Sequence, residues 1–182
     1  MKRKLAIVLT CGMIAFGMAA CSGETATSEP QAESVTESVA ESTPAPTEEA
    51  VLGVGSTADV NGVKITLNSV TESAGDDIFK PDEGNIYVLC NFTIQNDSEE
   101  DLTISSAMCF EAYCDDTAIN FDLAGQSTEA ATQVGQLDGD VAPGKNMNGF
   151  IVYQVPTGYA KLEVSVQPDL LSNNTADFVY NK

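Results

Sequence analysis

The stretch GNIYVLCNFTIQND, residues 84–97, decides the fold. Val88, Cys90, Phe92 and Ile94 recur at every second position, and Tyr87, Leu89, Asn91 and Thr93 fill the positions between them. Successive side chains of an extended chain point to opposite faces, so this is a strand, and its first row faces a core. The same period recurs on both sides. In ADVNGVKITL, residues 58–67, Asn61-Gly62 separates two alternating runs. Both residue types accept positive φ, which predicts a two-residue hairpin turn. Val63, Ile65 and Leu67 then share one face.

Toward the C-terminus, AMCFEAYCDDTAINF (107–121) predicts a hairpin turning at Asp115-Asp116, with Phe110, Ala112 and Cys114 pointing one way. APGKNMNGFIVYQVP (142–156) opens on a Pro-Gly turn and ends at Pro156, with Gly149, Ile151, Tyr153 and Val155 as its inner row. AKLEVSVQ turns Leu162, Val164 and Val166 inward, and ADFVYNK supplies a last strand. No long amphipathic helix is visible. Seven or eight short strands divided by turns predict an all-β, two-sheet antiparallel sandwich over residues 51–182.

The preceding residues are of a different kind. Lys2, Arg3 and Lys4 lead an apolar run from Leu5 to about Gly17, with the charge, length and small-residue ending of a secretory signal. Met18-Ala19-Ala20-Cys21 resembles the bacterial lipobox. That resemblance implies cleavage after residue 20 and lipidation of Cys21, hence a protein held to the cell membrane on its extracytoplasmic face. Two or more acyl chains make such an anchor stable. Residues 21–50 follow as a Ser, Thr, Glu, Ala and Pro tether without aromatic or basic residues. Its apolar surface is too small to offset the entropy of ordering, so a disordered spacer is expected. Fully stretched it would reach roughly 95 Å, and as a coil nearer 30 Å.

Charge and composition exclude several functions. The formal net charge is −19, and loss of Lys2, Arg3 and Lys4 with the signal makes it more negative still. Nucleic acid is therefore not an expected partner, since its binding relies on Lys and Arg. There is no histidine, which removes Ser-His-Asp and Cys-His pairs and imidazole-bound zinc. No cofactor site is indicated.

Three runs resemble one bacterial family: VGSTADVNGVKITLNSV (54–70), KPDEGNIYVLCNFTIQNDSEEDLTISS (80–106) and VAPGKNMNGFIVYQVPTGYAKLEV (141–164). Its marks here are Pro81 to Asn85 entering a strand, Asn96 to Ser98 leaving it, the Pro143-Gly144-Lys145 turn and the Val155-Pro156 end. The family is the immunoglobulin-like domain of unknown function of Gram-positive lipoproteins, similar to the mycobacterial immunoprotective extracellular antigen. The resemblance implies an immunoglobulin-like sandwich on a surface lipoprotein, and it carries over no catalytic residue.

The remaining candidates leave alternatives open. By alternation Cys90 and Cys114 face inward and Cys109 faces the other way. The first two either form a bridge, which export permits, or stay buried as thiols. The acidic turns Asn96–Asp101, Asp76–Glu83 and Leu137–Asp140 are either solvated connections or, if they cluster at one end, oxygen ligands for calcium. The long small-residue segment Asp122–Asp140 is either a binding loop or a mobile insertion, with a short helix conceivable near Ser127. The expected function is a non-enzymatic, lipid-anchored binding module meeting a protein or envelope partner; the alternative is a calcium- or small-ligand-binding lipoprotein.

Overall fold

The computed structural model describes residues 51–182; the signal segment, Cys21 and the tether lie outside the described residues. The Asn61-Gly62 hairpin is present. It joins β1 (Thr57–Val60) to β2 (Val63–Ser73), with φ of 54° and 82° at the two turn residues. Positive φ at both positions is the demand of the tight turn that matches strand twist. The Asp59 carboxylate accepts the Gly62 N–H at 2.8 Å.

The deciding stretch forms β3 (Asn85–Asn96), flanked by β2 and by β8 (Asn146–Pro156), so the first sheet runs β1-β2-β3-β8, all antiparallel. The second sheet runs β10 (Ala176–Asn181), β9 (Lys161–Val166), β5 (Phe110–Cys114), β6 (Thr117–Ile119). Asp115 and Asp116, at φ of 46° and 69°, close the β5–β6 hairpin. A third, two-stranded sheet pairs β4 (Leu102–Ile104) with β7 (Gly139–Val141). Among the described residues there are ten strands rather than seven or eight, because three-residue strands such as β4 and β7 give too short a period to read.

The inner rows meet as alternation predicts. Val88, Cys90, Phe92 and Ile94 pack with Ile151, Tyr153 and Val155 against Phe110, Ala112, Leu162, Val164 and Phe178 of the second sheet. Phe92 sits at the centre, its ring centroid 5.6 Å from that of Phe110 and 5.4 Å from that of Phe178.

Two expectations are corrected. The first concerns residues 122–140, which are not a loose insertion; the short helix expected near Ser127 is present as two single turns on either side of it. These are α1 (Leu123–Gln126), capped by the Asp122 carboxylate on the Gly125 N–H, and α2 (Glu129–Thr132), capped by the Thr128 hydroxyl on the Ala131 N–H. These turns lie on the outer face of the first sheet, where Ala131 packs with Tyr87, Leu89 and Val152. The approach is close: a Cβ on Gly125 would stand 2.6 Å from Val152 Cγ1 and 3.1 Å from the Tyr87 ring. Beyond α2, the Gly135 carbonyl accepts the Phe150 N–H and so occupies the free edge of β8. The second concerns Cys109. It does not face outward but is buried with the core, because it lies in the turn before β5, where strand alternation does not apply.

Candidate functional site

Three connections meet beside β1 and β2: the Asn61-Gly62 turn, the acidic turn after β3, and the loop between β9 and β10. They enclose an open groove of about 480 Å³. Val60, Val63 and Leu102 form its apolar floor, and Leu170, Leu171, Glu100, Asp101 and Asp169 stand around it.

Each wall is held by its own chemistry. Asn96 ends β3 fully buried. Its amide donates to the Glu100 and Val141 carbonyls, both at 2.7 Å, while its carbonyl accepts from the Ser98 N–H at 3.0 Å and the Ser98 hydroxyl at 2.6 Å. One side chain thus folds the turn back on itself and ties it to β7. Lys64 and Gln95 each donate to Asp97 at 2.6 Å, and together they hold its carboxyl below the usual range. On the opposite wall the Asp169 carboxylate accepts the Leu171 N–H at 2.9 Å, the Asp169 carbonyl accepts the Ser172 N–H at 3.1 Å, and Gln167 donates to the Ser172 carbonyl. This turn leaves Leu170 46% and Leu171 98% exposed. Strand alternation in the sequence does not mark these leucines. Their signal was two adjacent apolar residues after Pro168-Asp169, outside any strand period.

The acidic turns do not gather around one point. Asp76 accepts the N–H groups of Phe79, Ile78 and Glu129, in that order of effect, and its carboxyl is lowered as a result. Asp138 accepts from the Ser106 N–H and hydroxyl, Asp140 from the Thr103 hydroxyl, and Asp82 from the Gln154 amide. Among the described residues no group of three or more acidic or cysteine side chains converges as metal ligands would.

Cys90, Cys109 and Cys114 are all buried free thiols, so the bridge between Cys90 and Cys114 is not formed. Burial raises all three, Cys90 to about 12, which suppresses the reactive thiolate. The folded protein is therefore expected to leave these three thiols unmodified by a disulfide reagent at pH 8 and to release all three on unfolding in guanidinium. Rapid labelling of any of them in the native state would contradict their burial.

A second, shallower hollow lies on the outer face of β5, β9 and β10, between Val51, Tyr113, Glu163, Asp177 and Val179.

The architecture recurs in solved structures. The Bacillus subtilis protein ycdA, a lipoprotein candidate, matches with TM-score 0.56 at 15% identity over 69% of this chain and 38% of its own. This chain thus spans well under half of that relative. The yjhA protein of Bacillus subtilis matches with TM-score 0.56 at 17% identity over 72% of this chain and 99% of its own. A conserved hypothetical protein of Bacillus anthracis matches with TM-score 0.51 at 15% identity, over 69% and 94% respectively. At such identities the likeness is one of fold. No curated protein matches the chain. In sequence, residues 52–176 match the family described as a domain of unknown function (DUF4352); the groove, the first sheet and all of the second except the body of β10 fall within that match, and the chain belongs to this family.

Proposed function

We propose that this protein is a non-enzymatic binding module, held by lipid at Cys21 to the outer face of the cell membrane. The observation that carries the reading is the groove: a concave apolar floor with two exposed leucines at its lip. Contiguous exposed apolar surface beside a hollow marks contact sites, whereas scattered single residues do not. The chemistry of the described residues supports binding over catalysis. A general acid needs a raised carboxyl, yet Asp76, Asp97 and Glu72 are all lowered, by hydrogen bonds to backbone or to cationic and amide side chains. The thiols move the opposite way from a nucleophile's.

The lipid anchor rests on the lipobox resemblance at residues 18–21, in keeping with the lipoprotein candidate among the structural relatives. The narrower likeness to the mycobacterial immunoprotective antigen belongs to the same proposal. Mass spectrometry of the native N-terminus is expected to find a diacylglyceryl thioether on Cys21, and Cys21→Ala is expected to release the protein from the membrane. An unmodified start, or a leader still attached, overturns the anchoring. Photocrosslinkers placed around the domain on intact cells test the binding role, and capture of no partner from any face overturns it.

A further inference from the structure

We propose that the groove between the β3–β4 turn and the β9–β10 loop takes a segment of another polypeptide, in which aliphatic side chains are flanked by lysine or arginine. The proposal deepens the reading as a binding module and rests on it. The aliphatic half follows from the surface. Val60 and Val63 are nearly closed to solvent at the floor, while Leu171 at the lip is fully open. A leucine so exposed gains by burial, and its turn is pinned on both sides, by Asp169 and by the bond from Gln167 to Ser172. Little ordering entropy is left to oppose a partner there. The groove's volume falls within the roughly 300–1,000 Å³ common for ligand clefts.

The basic half follows from charge. Glu100, Asp101 and Asp169 rim the groove, and among the described residues no lysine or arginine lines it. Lys64, next to Val63 on β2, is bound to Asp97 at 2.6 Å. An acidic rim steers cationic segments in and repels acidic ones. A bare cation does not account for the apolar floor, nor for carboxylates that fail to converge. A lipid surface is disfavoured, since anionic headgroups would meet a strongly acidic chain.

The test uses the mature chain and three fluorescein-labelled decapeptides: one with two central leucines flanked by lysines, one with those leucines replaced by serine, and one with the lysines replaced by glutamate. Anisotropy should show binding of the first alone, weakened by salt. Leu171→Ser should weaken it about tenfold, as expected when the burial of one leucine is lost. Glu100→Gln with Asp101→Asn should weaken it and flatten its salt dependence. Equal binding of the serine peptide, indifference to Leu171→Ser, or no binding of any peptide overturns the proposal. Crosslinking on cells separates this failure from that of the broader reading. A partner captured equally by the Leu171→Ser chain leaves the module reading standing and removes the groove, whereas capture of no partner removes both.

Discussion

Replacing Phe92 by alanine is expected to cost about 3–5 kcal/mol of stability, the range for deleting a buried phenylalanine. The reason is position as much as size. Phe92 lies on β3, the strand with β2 on one side and β8 on the other, and its ring is closed to solvent. It is tilted against Phe110 on β5 and meets Phe178 on β10 edge to face. The ring is therefore a joint between the two sheets, and no single neighbour can move to fill the space it leaves. Small-domain stabilities are about 5–15 kcal/mol, so the loss is a large share of the whole. Urea denaturation should show a lower midpoint with an unchanged slope, the sign of lost stability without altered compactness. Leu171→Ser, at a site fully open to water, should stay within about 0.5 kcal/mol of the parent. A Phe92→Ala change below about 1 kcal/mol would mean that the sheets repack around the gap, against the cavity cost expected of a close-packed interior.

The inward turn of Phe92, though not its partners, was legible in residues 84–97 alone. Period-two rows are a property of the strand itself, so the inner rows of β2, β3, β5, β8 and β9 could be read without knowing their partners. The turns at Asn61-Gly62 and Asp115-Asp116 were legible because positive φ restricts the residue type. The outer face of β3 was not. Tyr87 and Leu89 lie on the row opposite the core yet are buried by α1 and α2. The clue was present, since two large apolar residues on a second face ask for a second cover. What covers them includes the short helix expected near Ser127, but residues 123–132 are too few and too small in side chains to show which face packs, and they pack through glycine and alanine. Cys109 escaped for a related reason: one residue before β5, its direction is set by a turn. The groove was harder still. Its floor comes from β1, β2 and β4, its walls from turns far apart in the chain, and only the closure of the sandwich brings Glu100 and Leu171 to one hollow.

Replacing Asn96 by alanine is expected to cost about 2–4 kcal/mol: the buried Val141 carbonyl loses its donor, at about 1–3 kcal/mol, and the side chain's bonds to the more exposed Glu100 carbonyl, which keeps the Ser98 hydroxyl as a donor, and to Ser98 are lost besides, at about 0.5–1.5 kcal/mol each. The acceptors are those of Glu100 and Val141, both 2.7 Å from the Asn96 amide. The backbone bonds of the same residue, to the Lys145 carbonyl and from the Gly144 N–H, do not depend on the side chain. The strand end should therefore persist while the acidic turn comes loose. Native-state hydrogen exchange should quicken at Ser98, whose N–H loses its acceptor on Asn96, and at Glu100, whose N–H bonds the Ser98 hydroxyl that Asn96 orients. Amides in the middle of β3 should change only by the overall loss of stability. Ser98→Ala removes part of the same network, so the double variant should cost less than the sum of the two single changes. Full additivity would show that the two side chains act separately. Loosening this turn also spoils the placement of Glu100 and Asp101 at the groove. Asn96→Ala should thus weaken the lysine-leucine peptide even at temperatures where the protein remains folded, whereas Phe92→Ala, with a comparable loss of stability, should not.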